Sequence, residues 1–116
     1  MIYIDIKSKL LSTQLFVDNI YLDKYVELIK SNQNTQKEKC KTNKHHIIPR
    51  YVFNKYKIPV DNSSSNLVNL IYKDHLLAHY YLIGCAIGQG KYWNLYSIFL
   101  ATGQKYVSQS DIEFIK

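Results

Sequence analysis

Apolar residues recur at helical spacing in three stretches and gather into two short bounded runs, with polar or glycine-containing segments between them. Tyr21 to Ser31 puts Leu22, Tyr25, Val26 and Ile29 on one face, which predicts an amphipathic helix ending near Asn32. Lys73 to Ile87 carries Leu76, Leu77, Tyr80, Leu82 and Ile83 with no breaker before Gly84, and Gly88 and Gly90 predict its end. Tyr92, Leu95, Tyr96, Phe99 and Leu100 predict a further amphipathic helix, stopped at Gly103 and followed by a polar tail. Over residues 1–19, Ile2, Ile4 and Ile6 alternate as in a strand, whereas Leu10, Leu11, Leu15 and Phe16 recur as in a helix; the helical reading is taken. The two short runs, His46 to Pro49 and Asn66 to Ile71, predict strands joined by a long connection, 50–65, with one helical turn around Tyr51 to Lys55.

The only low-complexity tract, Ser31 to Thr42 (SNQNTQKEKCKT), reads as a linker. The expected organisation is therefore one α+β domain. It comprises an N-terminal helical part (1–36), a basic linker (37–43), a strand–connection–strand–helix core (44–87), and a C-terminal helix with its tail (88–116). Length and composition agree, since 116 residues with 47% hydrophobic content suffice for one core and argue against disorder. No apolar run reaches 18 residues, and MIYIDIKSKL has neither the basic flank nor the apolar centre of an export signal, so a cytoplasmic protein away from the membrane is expected. Cys40 and Cys85 stand 45 positions apart without a CxxC pattern, and both read as reduced thiols, with Cys85 buried.

Charge changes the picture once it is located. Residues 1–36 and 61–116 are each balanced, so the whole net charge of +6 sits in 37–60, where six lysines and Arg50 face Glu38 alone. A block of one sign beside a neutral remainder fits a polyanion, of which a phosphate backbone is the commonest, although a solvated basic loop would look the same.

All four histidines fall between positions 45 and 79. His75 and His79 are i and i+4 on the predicted helix, so their imidazoles leave one face and can share an ion. His45 and His46 are adjacent, so in an extended segment they point to opposite sides, and one of them remains available for a different task. A single buried histidine is more often a hydrogen-bonded core residue, but four clustered ones favour a site. Three nitrogen ligands with open positions describe a catalytic metal centre, and four would describe a closed structural one.

The segments KHHIIPR (44–50), NLVNL (66–70) and DHLLAH (74–79) resemble, in order, the three parts of the HNH endonuclease signature of the ββα-metal (His-Me finger) fold. The resemblance covers about a third of the chain, and its small size and HHIIPR wording are similar to phage and restriction-type members. The spacing Asn66-x8-His75-x3-His79 is similar to the nuclease bacteriocins. It implies a two-stranded antiparallel hairpin plus a metal-binding helix, with His45, His75 and His79 as metal ligands, His46 as general base and Asn66 as the brace that holds it. Two departures stand out: histidine replaces aspartate at 45, and Ile71 lacks the usual capping Ser or Thr.

The implied activity is metal-dependent hydrolysis of phosphodiester bonds in double-stranded DNA, leaving 5′-phosphate and 3′-hydroxyl ends. Arg50 would hold the phosphate as part of the catalytic set, and Lys41, Lys44, Lys55 and Lys57 would fix the backbone beside it. One divalent ion is expected; three imidazoles favour Zn²⁺, Ni²⁺ or Mn²⁺ over Mg²⁺ for affinity, while Mg²⁺ or Mn²⁺ could support turnover. With no room for a separate recognition domain, selectivity would come from the same domain, a homodimer or a partner. The alternatives are a non-catalytic, metal-stabilised nucleic-acid-binding module and a bacteriocin-like toxin nuclease. Tyr21, Tyr25, Tyr92 and Tyr96 read as core or interface, and core is the reading taken.

Overall fold

A computed structural model describes residues 5–33 and 42–102, with side chains as far as residue 98. Lys41, Cys40, most of the expected linker, Ile2 and Ile4, the inward or outward facing of Phe99 and Leu100, and the tail beyond Gly103 lie outside the described residues. Two helices come first, α1 (Ile6–Ser12) and α2 (Ile20–Asn32), followed by strand β1 (Thr42–His46) and a short helix α3 (Arg50–Lys55). A 3-10 turn (Ser64–Asn66) leads into β2 (Leu67–Ile71), α4 (Tyr72–Cys85) and α5 (Gly90–Thr102). The class is α+β, with one two-stranded antiparallel sheet among the described residues.

Local chemistry accounts for the element ends. Asp5 caps α1 by accepting from the Lys7 N–H, and Asn19 caps α2 by accepting from Tyr21 and Leu22. The other half of the Asn19 amide donates to the Gly84 carbonyl at 3.0 Å, so one side chain both starts α2 and ties it to the end of α4. Two backbone bonds reinforce the tie: Val17 N–H to Cys85 O at 2.7 Å and Ile87 N–H to Leu15 O at 2.9 Å. The predicted face of α2 is the buried one, Leu22, Tyr25, Val26 and Ile29, and it packs with α4 and β2 around Leu70, Ala78 and Leu82. Cys85 is buried, and burial pushes its thiol up to about 12, so it is chemically quiet.

Gly84 lies inside α4 because the Tyr21 ring occupies the space a Cβ would need, and Gly88, at φ +62, turns the chain beyond the helix. At its other end α4 starts directly after β2, with Ile71 as a cap that supplies no side-chain hydrogen bond. That immediate turn folds α4 back against both strands.

Three expectations shift. Helix α1 ends at Ser12, so Leu15 and Phe16, read as helical, lie beyond it, and Phe16 bridges to Ala86 in antiparallel fashion instead. The first strand covers Thr42 to His46 and not His46 to Pro49, because β2 pairs with the upstream residues, His45 opposite Val68 and His46 opposite Leu67. Beyond His46 the side chain of Asn66 takes over the backbone of Ile48, and Pro49 has no N–H for a ladder, so the apolar Ile47 is buried as loop. In α5, Tyr92 and Tyr96 are exposed and not core, whereas Asn94 and Leu95 face inward. The N-terminus of α5 sits tightly on Tyr51, where a Cβ at Gly90 would meet the phenol oxygen at 2.7 Å, and the Asn94 amide is committed to partners below it.

Candidate metal centre

The sheet register decides which histidine of the adjacent pair turns inward. His45 shares a face with Val68 and is 2% exposed, while its neighbour His46 lies on the other face with Leu67 and is only half-buried. His75 and His79 project from α4 towards the inner face, so three rings meet, with centroids 5.3 Å (His45–His75), 5.0 Å (His45–His79) and 5.0 Å (His75–His79) apart. One nitrogen from each lies within 4.8 Å of the others, close enough for the three to hold a metal ion.

Hydrogen bonds fix which nitrogens carry lone pairs. The Tyr25 hydroxyl has one proton, which it donates to the Ile47 carbonyl at 2.7 Å, so its contact with His45 Nε2, also 2.7 Å, is one in which Nε2–H donates. His45 is left with its lone pair on Nδ1. The Asn94 amide nitrogen donates to the Gly90 carbonyl at 2.9 Å, which turns the Asn94 oxygen towards His79 Nδ1 at 2.8 Å. His79 therefore donates from Nδ1 and keeps a lone pair on Nε2, 3.3 Å from Nε2 of His75. Two nitrogens each about 2.05 Å from a tetrahedral ion stand about 3.3–3.4 Å apart, so this pair already has ligand spacing. A second partner that accepts the far N–H of each ligand is the usual support of metal-binding histidines, and Tyr25 and Asn94 supply it here.

Burial lowers the pKa of all three: His45 well below its ordinary value, with His79, His75 and His46 adding to the effect, His75 below it, and His79 down to about 4, against a raising contribution from Asn94. All are neutral at pH 7, the form a metal ligand requires. The residues present thus fit a metal ion: a donor set of three neutral imidazoles, two of them oriented from behind, with His75 on the open side.

The remaining expected residues separate into three groups. His46 sits outside the cluster with Nε2 2.7 Å from the Asn62 side-chain oxygen, so Nε2–H donates and Nδ1 carries the lone pair. Asn66, 4% exposed, clamps the loop after β1. Its side-chain oxygen accepts from Ile48 N–H at 2.8 Å, its amide donates to Ile48 O at 3.3 Å and Asp61 O at 3.0 Å, and its own carbonyl accepts from Ile47 N–H. Lys44, Arg50 and Lys55 line a groove of about 1240 Å³ together with all four histidines. Lys57 does not line it: it follows α3 at φ +57 and closes that helix, with Lys57 N–H bonded to Asn54 O and Ile58 N–H to Phe53 O. Lys41 lies outside the described residues.

Tyr25, Asn62 and Asn94 were not anticipated. A lone asparagine within the aromatic run KYWNLY of α5 is a signal that can be seen in the chain, but nothing in the chain names His79 as its partner. No family model matches the chain, and no curated protein and no solved structure does either. The functional reading therefore rests on the site itself.

Proposed function

We propose that this chain is a metal-dependent endonuclease of the HNH, ββα-metal type that hydrolyses phosphodiester bonds in DNA. The observation that carries the reading is the division of labour between adjacent residues: His45 turns inward to the helical pair His75 and His79, while His46 turns out beside the basic groove. A strand pair followed without a break by a helix bearing two of three candidate ligands supports the same fold type. A divalent ion held by His45, His75 and His79 would act as a Lewis acid on the scissile phosphate and neutralise charge at the leaving 3′ oxygen.

The chain's own groups carry the other tasks. His46 Nδ1 takes the proton of a water whose oxygen attacks phosphorus as the bond to the 3′ oxygen breaks, and Asn62 keeps the ring in the tautomer that leaves Nδ1 available. Asn66 holds the loop that leads from His46 to Arg50. Arg50, exposed at the start of α3, grips the phosphate with Lys44 and Lys55, which line the same groove. With three nitrogens and no carboxylate in the donor set, Zn²⁺, Ni²⁺ or Mn²⁺ is expected to bind more tightly than Mg²⁺.

The test is nicking of supercoiled plasmid by metal-stripped protein, with Mg²⁺, Mn²⁺, Ni²⁺ or Zn²⁺ restored and His46→Ala run beside it. Cleavage that needs a metal and falls on the order of 100-fold or more in the variant is the expected result. Tight metal binding with no cleavage under any metal would overturn it in favour of a closed, non-catalytic binding module. Equal cleavage by both proteins would remove His46 from its role.

A further inference from the structure

Three aromatic side chains stand around the same groove without a part in the chemistry above. Tyr72 opens α4, Trp93 and Tyr96 lie three residues apart on one face of α5, and they are 50%, 51% and 53% exposed while lining the groove with His75 and His79. The core does not require the α5 rings, since Asn94 and Leu95 make the inward face of that helix. The charged residues on the groove wall are Lys44, Arg50 and Lys55, and neither Asp nor Glu lines it among the described residues. Cations and exposed ring faces in one groove match the two surfaces of a single strand, phosphate along one edge and a base face at each nucleotide. A paired duplex keeps its base faces stacked on one another and presents base edges and phosphates.

We propose that this groove binds unpaired nucleotides, with Trp93 and Tyr96 stacking on bases while Lys44, Arg50 and Lys55 follow the phosphates into the histidine cluster. The proposal rests on the phosphodiesterase reading and narrows its substrate to single-stranded or locally opened nucleic acid.

The experiment reads binding without turnover. Trp93 is the only tryptophan in the chain, so its fluorescence reports directly on stacking. The full-length protein in EDTA is titrated with an oligothymidylate of about a dozen nucleotides, with an abasic strand of equal length, and with a duplex of equal length. The expected result is quenching and tight binding by the oligothymidylate, with the abasic strand and the duplex on the order of 100-fold weaker and little quenching by either. Measured by anisotropy of a labelled strand, Trp93→Ala and Tyr96→Ala each weaken the oligothymidylate about tenfold and leave the duplex unchanged. Equal binding by the abasic strand or the duplex, or unchanged affinity in both variants, would overturn the proposal. Dissociation of a dimer by Trp93→Ala with oligonucleotide affinity intact would overturn it in favour of self-association. Failure of the nuclease reading is visible separately, as absent metal-dependent cleavage of both supercoiled plasmid and a single-stranded oligonucleotide with this quenching preserved.

Discussion

The hydroxyl of Tyr25 joins His45 Nε2 to the Ile47 carbonyl, each at 2.7 Å, so one phenol on α2 orients the inward histidine and the loop that follows it. Burial holds this hydroxyl well above its ordinary pKa, which keeps its proton in place as the donor to Ile47. Helix α2 is thus part of the candidate site.

Tyr25→Phe is expected to retain the ring's packing and lose both hydrogen bonds. It leaves the buried His45 N–H and Ile47 carbonyl without that partner, so the protein should lose about 1–3 kcal/mol in urea unfolding. Zinc affinity should fall about 10–100-fold in a chelator competition. Unchanged zinc affinity would show that the hydroxyl is structural only.

Asn94→Ala removes the acceptor that holds His79 in its tautomer and should weaken zinc binding by a similar 10–100-fold. Asn94→Asp keeps an acceptor and adds a charge that favours protonated His79. Its affinity should largely recover at high pH, with the midpoint of the pH–binding curve moved upward. If both variants bind as the parent does, Asn94 has no hold on the ligand.

Metal-free protein should lose stability on acidification. An unfolded histidine takes its proton near pH 6.5, while folded His79 resists until about 4. Between these values the unfolded state binds more protons, so stability is full above pH 6.5 and declines as pH falls towards 4, by on the order of 3 kcal/mol from this residue. His75 and His45 shift in the same direction and add to the decline. Urea midpoints from pH 7.5 to 4 in EDTA measure it, and a His79→Gln series as steep as the parent's would discount this origin.

Gly84→Ala should loosen the seam between α2 and α4. A Cβ there would stand 2.7 Å from Cδ2 of the Tyr21 ring and closer still to Cγ, too near for contact without a shift. A loss of about 1–3 kcal/mol is expected by denaturant titration, with the helical circular dichroism retained. A midpoint equal to the parent's would mean that the Tyr21 ring yields freely.

The helices and the histidine pairing were legible in the chain because both depend on short-range periodicity. An apolar stripe at 3.6-residue spacing marks α2, and four residues from His75 to His79 put both rings on one face whatever lies opposite. The alternation of an extended backbone likewise separated His45 from His46. Tertiary structure decided which of them turned in, since that depends on pairing register with β2 and hence on Asn66 ending the ladder after His46. It also decided the inward face of α5, where a hydrogen-bonded Asn94 outranked the aromatic stripe, and it brought Tyr25 and Asn94 behind the ligands from 20 and 15 residues away. Hydrogen bonds between such distant residues leave no periodic mark. Composition located the basic block, but only the packed chain set Lys44, Arg50 and Lys55 on the groove wall and left Lys57 closing a helix.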